Sequence, residues 1–382
     1  MWSSCSQKTS LRRLAFGCLV VMCFLFLLFT YYKPEIKFPA FGFSMRSGSP
    51  SGAAGLSVDS NPNCSREQHI CPLHNDSQRI QGPAEQDTLL LIWMWPFGST
   101  FELSCTMFNI TRCHLTDDRS LYHRAHGVFF HHRDIHGHLK DLPKEPRPSF
   151  QKWVWSNMES PANSAPIPEL NNLFNLTCSY RLDSNIPVPY GYLEPLTSED
   201  DSFQLPAKNK LVCWIVSNWN LQHRRVQYYD QLKNHVHINC YGNAFGQHLS
   251  NRDYSEIVSS CKFYLSFENS VHRDYITEKL YSPMMLGSVP IVLGPSRPTY
   301  EDHVPADSFI HVDDFSSAKE LADRLLYLDQ NATEYRRYFD WRSRFRVKTS
   351  WFGREQVCRT CGYLQKNTGL QVFHDLNRWF WG

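Results

Sequence analysis

Short apolar runs closed by turn residues recur along most of the chain. The run LLLIWMWPFG occupies residues 89–98 and is ended by Pro96 and Gly98. GVFFHH (127–132) and KWVW (152–155) follow, each ahead of a polar loop. Runs this short and this apolar are typical of buried strands. The sequence therefore predicts a sheet over this part of the chain.

A second series begins near Leu211, where apolar runs alternate with amphipathic segments. Strands are predicted at 211–218, 237–242, 262–267 and 288–294. Helices are predicted at 223–235, 253–261 and 278–286, the last ended by Gly287. A further helix runs from the capping box Ser317-x-x-Glu320 to about Gln330. This alternation indicates parallel sheets. We therefore predict an α/β fold of two Rossmann-like domains that face a cleft, divided within the polar stretch 198–209. Ligands of such sheets bind beyond the carboxyl ends of strands, here after Trp155, Val216 and Phe267.

The N-terminal region carries a different pattern. Residues 14–32 are apolar and uncharged, and Lys8, Arg12 and Arg13 precede them. An apolar helix of that length spans a bilayer, and the preceding cations keep its N-terminus cytoplasmic. A cleaved signal peptide is the alternative, but the run is long and no small-residue cleavage site follows it. Residues 33–87, rich in Ser, Gly, Pro and Asn, are predicted to form a flexible stem.

The charge balance and the N-glycosylation sequons limit the function and the location that this protein can have. The 382 residues include 39 Lys plus Arg against 37 Asp plus Glu, a net charge of +2. That balance argues against a nucleic-acid-binding protein, which would carry a basic domain or stripe. Five Asn-x-Ser/Thr sequons all follow the apolar run, which favours a lumenal location for this part of the chain. The candidate glycosylation sites are Asn63, Asn75, Asn109, Asn175 and Asn331.

Cysteine usage agrees with an oxidising compartment. Ten of the 13 cysteines follow the apolar run, so disulfides are the default expectation. Cys358-x-x-Cys361 could supply half of a zinc site, but no second Cys-x-x-Cys or His pair stands at ligand spacing. We interpret both cysteines as disulfide ends and predict no metal site.

The segment FENSVHRDYITEKLY (267–281) is the clearest candidate for chemistry. A strand ends, a polar loop follows, and Thr277 is a plausible N-cap of a helix that begins with Glu278 and Lys279. Backbone N–H groups and Lys279 could converge there on an anion. A capped helix with a solvated lysine is the plain alternative. The chain also lacks G-x-G-x-x-G, G-x-x-x-x-G-K-[ST] and Asp-x-Asp, so a diphosphate would have to be neutralised by cationic side chains.

Long strings of this sequence resemble the animal Golgi α1,3-fucosyltransferases. They include FENSVHRDYITEKLY, GSVPIVLGPSRPTYEDHVPADSFIHV, LLIWMWPFG, CHLTDDRSLYHRAHGVFFHHRDI, FQKWVWSNMESP, LFNLTCSYRLDSNIPVPYG and LVCWIVSNWN. The resemblance covers about residues 88–382 and is greatest to members that make Lewis x on type 2 N-acetyllactosamine. It implies a GT-B-like fold and an inverting transfer of L-fucose from GDP-β-L-fucose. The 3-hydroxyl of GlcNAc in Galβ1,4GlcNAc would receive the sugar.

The resemblance also assigns residues. An inverting transfer needs one general base, and the family's base is the Glu of N-x-E-S-P, here Glu159, although a solvated loop acid is the plain alternative. Arg225 and Lys279 would hold the diphosphate, and the family's H-x-R-V pattern selects Arg225 rather than Arg224. Other positions matching the donor site are Glu278, Asn269, Tyr275, Asn218 and Tyr241. GDP-fucose is then a substrate, with no tightly bound cofactor and no required divalent metal.

On the acceptor side, the resemblance selects Arg133 within His131-His132-Arg133-Asp134, where arginine resembles members acting on type 2 chains. Tyr190 is a second acceptor candidate, with simple turn packing as its alternative. Zinc binding by the two histidines is a poor fit, because adjacent strand residues point to opposite faces.

The family pattern further pairs the cysteines and divides the chain. The implied disulfides are Cys105–Cys358, Cys113–Cys361 and Cys213–Cys261, whereas Cys178, Cys240, Cys64 and Cys71 are left open. The apolar run and the composition after it give a tail (1–13), an anchor (14–32) and a stem (33–87). The resemblance implies an acceptor domain (88–206), a GDP-fucose domain (207–347) and a C-terminal segment returning to the acceptor domain (348–382).

These expectations describe a type II Golgi membrane protein with a lumenal catalytic head. Its partners would be glycan acceptors on glycoproteins and glycolipids, and the stem or anchor could join two chains in a homodimer. Three alternatives remain at this point: an inactive glycan-binding head, an enzyme that fucosylates protein or the N-glycan core, and an adhesion or receptor ectodomain.

Overall fold

Two parallel β-sheets form the framework of the part of the chain that this computed structural model describes, residues 87–197, 203–369 and 371–382. Parallel strands cannot be joined by tight turns, so each pair is linked by a crossover that covers a face of the sheet. The predicted α/β class is therefore confirmed.

The first sheet contains six strands in the order β2-β1-β3-β4-β5-β6. Their bounds are β1 Thr88–Ile92, β2 Cys113–Thr116, β3 Gly127–His131, β4 Lys152–Asn157, β5 Leu176–Ser179 and β6 Ile186–Pro187. Every residue of β3 and β4 is buried, which explains why these strands have continuous apolar runs and no alternation. The predicted first run ends as a strand at Ile92, and a 3-10 turn takes up Pro96 to Gly98.

The second sheet contains five strands in the order β12-β11-β10-β8-β9. Their bounds are β8 Lys210–Ile215, β9 Ile238–Tyr241, β10 Cys261–Phe267, β11 Val289–Leu293 and β12 Ile310–His311. In both sheets the first strand lies between the second and the third, so the chain reverses its direction of progress at the first strand. Ligands bind beside such a reversal, at the carboxyl ends of the strands.

The helices within the described residues are α1 Arg224–Leu232, α2 Asn251–Ser260, α3 Glu278–Leu286, α4 Arg297–Glu301, α5 Ala318–Gln330, α6 Ala332–Arg337, α7 Arg354–Lys366 and α8 Leu376–Trp381. Helix α3 ends as predicted at Gly287, whose φ of 79° is a conformation that glycine adopts without strain. The Ser317 side chain caps α5 by accepting the Glu320 N–H. The predicted capping box is only half formed, because the Glu320 carboxylate accepts from Ser316 instead of Ser317.

The chain crosses between the sheets twice, through two strands that pair with each other. β7 (Gly191–Pro195) and β13 (Phe345–Thr349) run antiparallel. Gly191 is required there, because a Cβ would lie 2.5 Å from the Tyr281 ring of α3. After β13 the chain returns to the first sheet, where α7 packs beside β1.

Three disulfides join the cysteine pairs that the resemblance implies. Cys105–Cys358 joins α7 to the segment before β2, and Cys113–Cys361 joins α7 to the first residue of β2. The third, Cys213–Cys261, joins β8 to the start of β10. Cys178 and Cys240 are unpaired within the described residues and lie in different sheets, on β5 and β9.

The predicted anchor (14–32) and the stem up to residue 86 lie outside the described residues, as do Asn63, Asn75, Cys64 and Cys71. Within the described residues, no helix is long and apolar enough to cross a membrane.

Of the remaining sequons, the structure argues against Asn175. Its side chain is buried, accepts the Trp153 N–H at 2.7 Å and donates through Nδ2 to the Gln371 carbonyl at 2.6 Å. The nitrogen that would carry the sugar is enclosed in this fold, which disfavours a glycan at Asn175, and the site stays a prediction. Asn109 is exposed, and the Nδ2 atom of Asn331 bonds only the exposed Tyr327 hydroxyl, so both stay candidates.

Candidate active site

The loops that leave the carboxyl ends of the two sheets meet each other. One follows β4 and contains Glu159 and Ser160, and the other follows β10 and contains Asn269 and Ser270. The Ser270 hydroxyl donates to the Ser160 hydroxyl at 2.7 Å. The predicted site residues Glu159 and Asn269, which come from separate strings, are thus each adjacent in sequence to one partner of this bond.

The loop that carries Glu159, residues 158–164, is held rigidly by short polar contacts. The Glu159 N–H donates to Asn157 Oδ1 at 3.0 Å, and Asn157 Nδ2 donates to the Ser164 hydroxyl at 2.9 Å. That hydroxyl donates in turn to the Ser160 carbonyl at 2.9 Å. Because Asn157 and Ser164 are buried, these hydrogen bonds are shielded from water and stabilise the backbone from which Glu159 projects.

Tyr190 supports the same loop. Its hydroxyl donates to the Met158 carbonyl, and its ring packs at 6.2 Å from that of Tyr275. Tyr275 is buried and also contacts Tyr180 at 5.2 Å. These contacts place Tyr190 between the two sheets with its hydroxyl already engaged, which favours a role in holding the Glu159 loop. Contact of Tyr190 with an acceptor stays a prediction.

Charges from both sheets surround Glu159. Its carboxylate is half-buried, and burial raises its pKa above the ordinary value, whereas Arg133 and Lys279 oppose that rise. Within the described residues the carboxylate accepts no hydrogen bond. A half-buried carboxylate with free lone pairs and an elevated pKa has the properties that a general base requires.

Arg133 lies on the first-sheet side of Glu159. It follows β3, is exposed, and donates to the Asn163 carbonyl within the Glu159 loop. This bond directs the guanidinium along the loop and explains its effect on the pKa of Glu159. Arg133 is therefore placed to contact a molecule that approaches the carboxylate from the first sheet.

On the second-sheet side, Arg225 is the buried cation. It lies in the first turn of α1, is only 4% exposed, and donates through one terminal nitrogen to the Asn218 carbonyl. Its Nε has no hydrogen-bond partner in the described part of the chain. Arg224, by contrast, is exposed and pairs with Asp313. A buried guanidinium with an unused donor is costly unless an anion completes it.

Other buried polar atoms around the start of α1 and the end of β10 also lack partners among the described residues. They are His223 Nδ1, Tyr228 Oη and Ser266 Oγ. Native interiors leave few such atoms unpaired, so a group of them at one sheet edge indicates a ligand site. Asn218 after β8 and Tyr241 at the end of β9 border the same edge.

Lys279 lies at the start of α3 and contacts two carboxylates. Its Nζ lies 2.9 Å from Glu278 Oε1 and 3.4 Å from Glu268 Oε2, and it donates to the Thr277 hydroxyl at 2.9 Å. Burial acts against the charge, but Glu268 and Glu278 outweigh it and raise the pKa of Lys279. The ammonium is thus kept protonated and positioned before any ligand binds.

Glu268 is the site residue that sequence reasoning missed. It is 2% exposed and accepts from both the N–H and the hydroxyl of Thr277 at 2.8 Å. A carboxylate directly after a strand is usually solvated, so its local sequence gave no signal. Its position in the FENS string, ahead of the cap residue Thr277, was the only available indication.

Within the described residues, no group of three or more His, Cys, Asp or Glu side chains is arranged to hold a metal ion. His131 and His132 each use a ring nitrogen elsewhere: His131 Nδ1 contacts Asp134, and His132 Nε2 contacts the Ala165 carbonyl. The side chains at the site include cations suited to a diphosphate, Arg225 and Lys279, and one carboxylate suited to proton transfer, Glu159.

Two protein-family models match this chain. Residues 85–191 match the model described as "Fucosyltransferase, N-terminal", and residues 205–379 match "Glycosyltransferase family 10 (fucosyltransferase) C-term". Together they span both sheets and the C-terminal return.

Individual relatives are similar over most of their length. The chain is 51% identical over 297 residues to the rat protein named 4-galactosyl-N-acetylglucosaminide 3-alpha-L-fucosyltransferase 9, covering 77% of this chain and 82% of the relative. The bovine protein of the same name is 43% identical over 98% of this chain and 99% of its own. A bovine alpha-(1,3)-fucosyltransferase 7 is 46% identical over 78% of this chain and 88% of the relative.

A solved structure shares the fold. It is described as alpha1,3-fucosyltransferase with GDP-fucose, and it superposes with a TM-score of 0.51 at 18% identity, over 78% of this chain and 96% of the other. At that identity the likeness concerns the arrangement of the two sheets alone.

Proposed function

Because this chain belongs to glycosyltransferase family 10, the fucosyltransferases, we propose that it transfers L-fucose from GDP-β-L-fucose to the 3-hydroxyl of GlcNAc in Galβ1,4GlcNAc. The transfer inverts the configuration at the anomeric carbon and forms Lewis x-type structures on glycoproteins and glycolipids. The names of the relatives, which specify a 4-galactosyl-N-acetylglucosaminide acceptor and a 3-alpha-L-fucosyl product, support this choice of sugar and hydroxyl.

One observation carries the proposal: the loop that contains Glu159 meets the loop that follows β10 of the second sheet, through the 2.7 Å hydrogen bond from Ser270 to Ser160. Glu159 therefore lies where the carboxyl ends of the two sheets meet, and a cation of each sheet interacts with its carboxylate. Arg133 comes from the first sheet and Lys279 from the second, and both lower the pKa of the Glu159 carboxylate. An inverting transfer requires a base at the junction of a nucleotide site and an acceptor site. This arrangement supports a GT-B-like enzyme with donor and acceptor on opposite sides of a cleft.

The chemistry follows from these positions. The Glu159 carboxylate takes the proton of the acceptor 3-hydroxyl while that oxygen attacks fucose C1 from the face opposite the diphosphate. The bond between C1 and the phosphate oxygen breaks, and GDP leaves with the electron pair. Arg225 and Lys279 stabilise the negative charge that develops on the leaving diphosphate. GDP-fucose is therefore a substrate, and no tightly bound cofactor is needed.

The rival functions are weaker. An inactive glycan-binding head would not need an unengaged carboxylate beside two cations, and all three groups are present. Fucosylation of protein or of the N-glycan core is the other rival, and the relatives' acceptor names favour the type 2 chain. An adhesion ectodomain is disfavoured by membership of an enzyme family.

The cellular setting is part of the proposal. The disulfides that fasten α7 favour an oxidising compartment, and the apolar run at 14–32 favours an N-terminal anchor. We propose a type II Golgi membrane protein with its head in the lumen, acting on glycan acceptors, with dimerisation through the stem or anchor.

A transfer assay tests the proposal. The full-length chain in detergent is incubated with GDP-fucose and three acceptors: Galβ1,4GlcNAc, its α2,3-sialylated form and Galβ1,3GlcNAc. We expect transfer to the first, unchanged by EDTA, with fucose at the 3-position by NMR. A folded chain that binds GDP but transfers to none of the three would contradict the acceptor assignment and favour the protein or glycan-binding alternatives.

The pH dependence gives a second test. Activity should fall as pH drops through the pKa of Glu159, because only the carboxylate accepts a proton, and burial places that pKa above its ordinary value of 4.5. Arg133 lowers this pKa, so Arg133→Ala should move the acid limb of kcat/KM to higher pH.

The matched control for this pH test is Arg112→Ala. Arg112 pairs with Asp87 ahead of β2, at the opposite edge of the same sheet, so its removal should leave the limb in place. A limb that stays fixed or moves to lower pH in Arg133→Ala would show that Glu159 does not control the rate.

A further inference from the structure

Two exposed aromatic rings lie side by side at the carboxyl edge of the first sheet. Phe97, in the turn after β1, is 45% exposed, and Phe352, just before α7, is 44% exposed. Their ring centroids are 6.0 Å apart with planes 21° from parallel. We call this surface the Phe97–Phe352 platform. Large apolar rings paired in this way on a surface mark a binding site more often than isolated exposed residues do.

The platform adjoins the catalytic centre through His131. The His131 ring lies 4.8 Å from Phe97 and 6.3 Å from Phe352, edge to face with both. His131 is also close enough to Glu159 to influence the pKa of that carboxylate. A molecule resting on the platform would therefore extend toward the base.

Asp134 holds the platform in place. One carboxylate oxygen accepts the Phe97 backbone N–H at 2.9 Å and contacts His131 Nδ1 at 2.6 Å. Phe97 has a φ of 52°, a left-handed conformation that is unfavourable for a bulky side chain. Such strain persists only where surrounding contacts impose it and is typical of functional sites. The Asp134 carboxylate thus links the strained backbone of Phe97 to His131, the histidine near Glu159.

A buried polar atom adds an independent sign of a ligand. His131 is 1% exposed, and its Nε2 has no hydrogen-bond partner in the described part of the chain. A sugar presents C–H and O–H groups side by side, so its site combines aromatic rings with a small number of polar atoms. The platform with His131 has that composition.

We propose that the Phe97–Phe352 platform binds the galactose ring next to the reacting GlcNAc. This inference rests on the proposed function. In Galβ1,4GlcNAc the galactose is attached at the carbon beside the 3-hydroxyl, so it must lie near the base when that hydroxyl reacts. The axial 4-hydroxyl of galactose leaves one face of the ring with only C–H groups, which an aromatic surface can cover. Asp134 is then a positioning residue for acceptor recognition.

Phe352→Ala tests the platform, with Phe352→Tyr as the conservative variant. Loss of one aromatic contact should lower kcat/KM for Galβ1,4GlcNAc about tenfold, mainly through KM. Transfer to the monosaccharide GlcNAc and the affinity for GDP should change little, and Phe352→Tyr should restore the preference for the disaccharide. Phe150→Ala is the matched control, because Phe150 is 53% exposed but precedes β4, at the far edge of the sheet.

Saturation-transfer NMR provides a readout that does not need turnover. With full-length chain and GDP, the galactose H3, H4 and H5 protons of Galβ1,4GlcNAc should receive the strongest saturation, and Phe352→Ala should abolish this preference. If the wild type binds in this way but transfers no fucose, the proposed function fails while the platform stands.

Three results would overturn the platform. Saturation concentrated on GlcNAc is one. Equal losses for monosaccharide and disaccharide in Phe352→Ala, with GDP affinity intact, is the second. The third is a dimer that dissociates in Phe352→Ala, which would make the surface an interface between two copies of the chain.

Discussion

Replacement of Glu159 by glutamine is expected to reduce kcat for fucose transfer by roughly a thousandfold, because a positioned general base contributes on that order. Glutamine keeps the size and the backbone hydrogen bond to Asn157, so the fold and the donor site should be preserved. Only the capacity to accept the proton of the acceptor hydroxyl is removed. Single-turnover transfer from radiolabelled GDP-fucose measures the rate of the chemical step, and calorimetry measures whether the affinity for GDP is preserved.

The control for this experiment is Glu169→Gln. Glu169 is exposed and lies beyond the Glu159 loop, so its kcat should remain near that of the wild type. Retention of more than about a tenth of the wild-type kcat by Glu159→Gln would be too small a loss for a general base. Glu278, whose carboxylate pairs with Lys279 near the same centre, would then become the candidate.

Replacement of Arg225 by alanine is expected to lower kcat/KM for GDP-fucose by about a hundredfold or more, because removing one preorganised contact to a developing charge costs that much. The buried guanidinium has an unused Nε donor, and the leaving diphosphate would engage it. The affinity for GDP should fall as well, since GDP retains the diphosphate. Initial rates at varied donor concentration and calorimetry with GDP provide the measurement.

Arg224→Ala is the matched control, one residue away on the same helix. Arg224 is exposed and pairs with Asp313, so its removal should change kcat/KM by less than about threefold, the effect of an exposed ion pair. Stability separates a functional role from a structural one. A buried charge with unsatisfied donors does not stabilise a fold, so Arg225→Ala should unfold at or above the wild-type temperature. A marked drop in the unfolding temperature together with wild-type GDP affinity would contradict the assignment.

Much of the second sheet could be predicted from the sequence, because its strands are buried on both faces and its helices are amphipathic. The apolar run at 262–267 became β10, and the segment 278–286 became α3 with the same bounds. In the first sheet, β2, β5 and the two-residue β6 were missed. The sequences of β2 and β5, CHLT and LTCS, mix polar and apolar residues, and β6 is too short to show a pattern. Their strand conformation is stabilised by pairing with neighbouring strands, and so does not depend on their own periodicity.

The sequon at Asn175 shows the limit of a local motif. Three consecutive residues define the sequon, but the accessibility of the asparagine depends on Trp153 and Gln371, which only the fold brings beside it. Glu268 shows that the burial of a charged side chain cannot be predicted from a local motif either. Its burial follows from the packing of α3 against β10 and β11, and from nothing in its immediate sequence.

The sequence by itself determined the α/β class, the strings that place the chain in its family, and the residue types available for chemistry: one candidate base and two candidate diphosphate cations. These properties are local, because an apolar run or a motif needs only neighbouring residues. The tertiary structure alone decided which charges meet. It brought the Glu159 loop against the loop after β10, within the electrostatic influence of Arg133 and Lys279. It also buried Arg225 while leaving Arg224 exposed, and paired Phe97 with Phe352. Burial and Coulomb interactions depend on distance in space, and that distance is set by the packing of the two sheets.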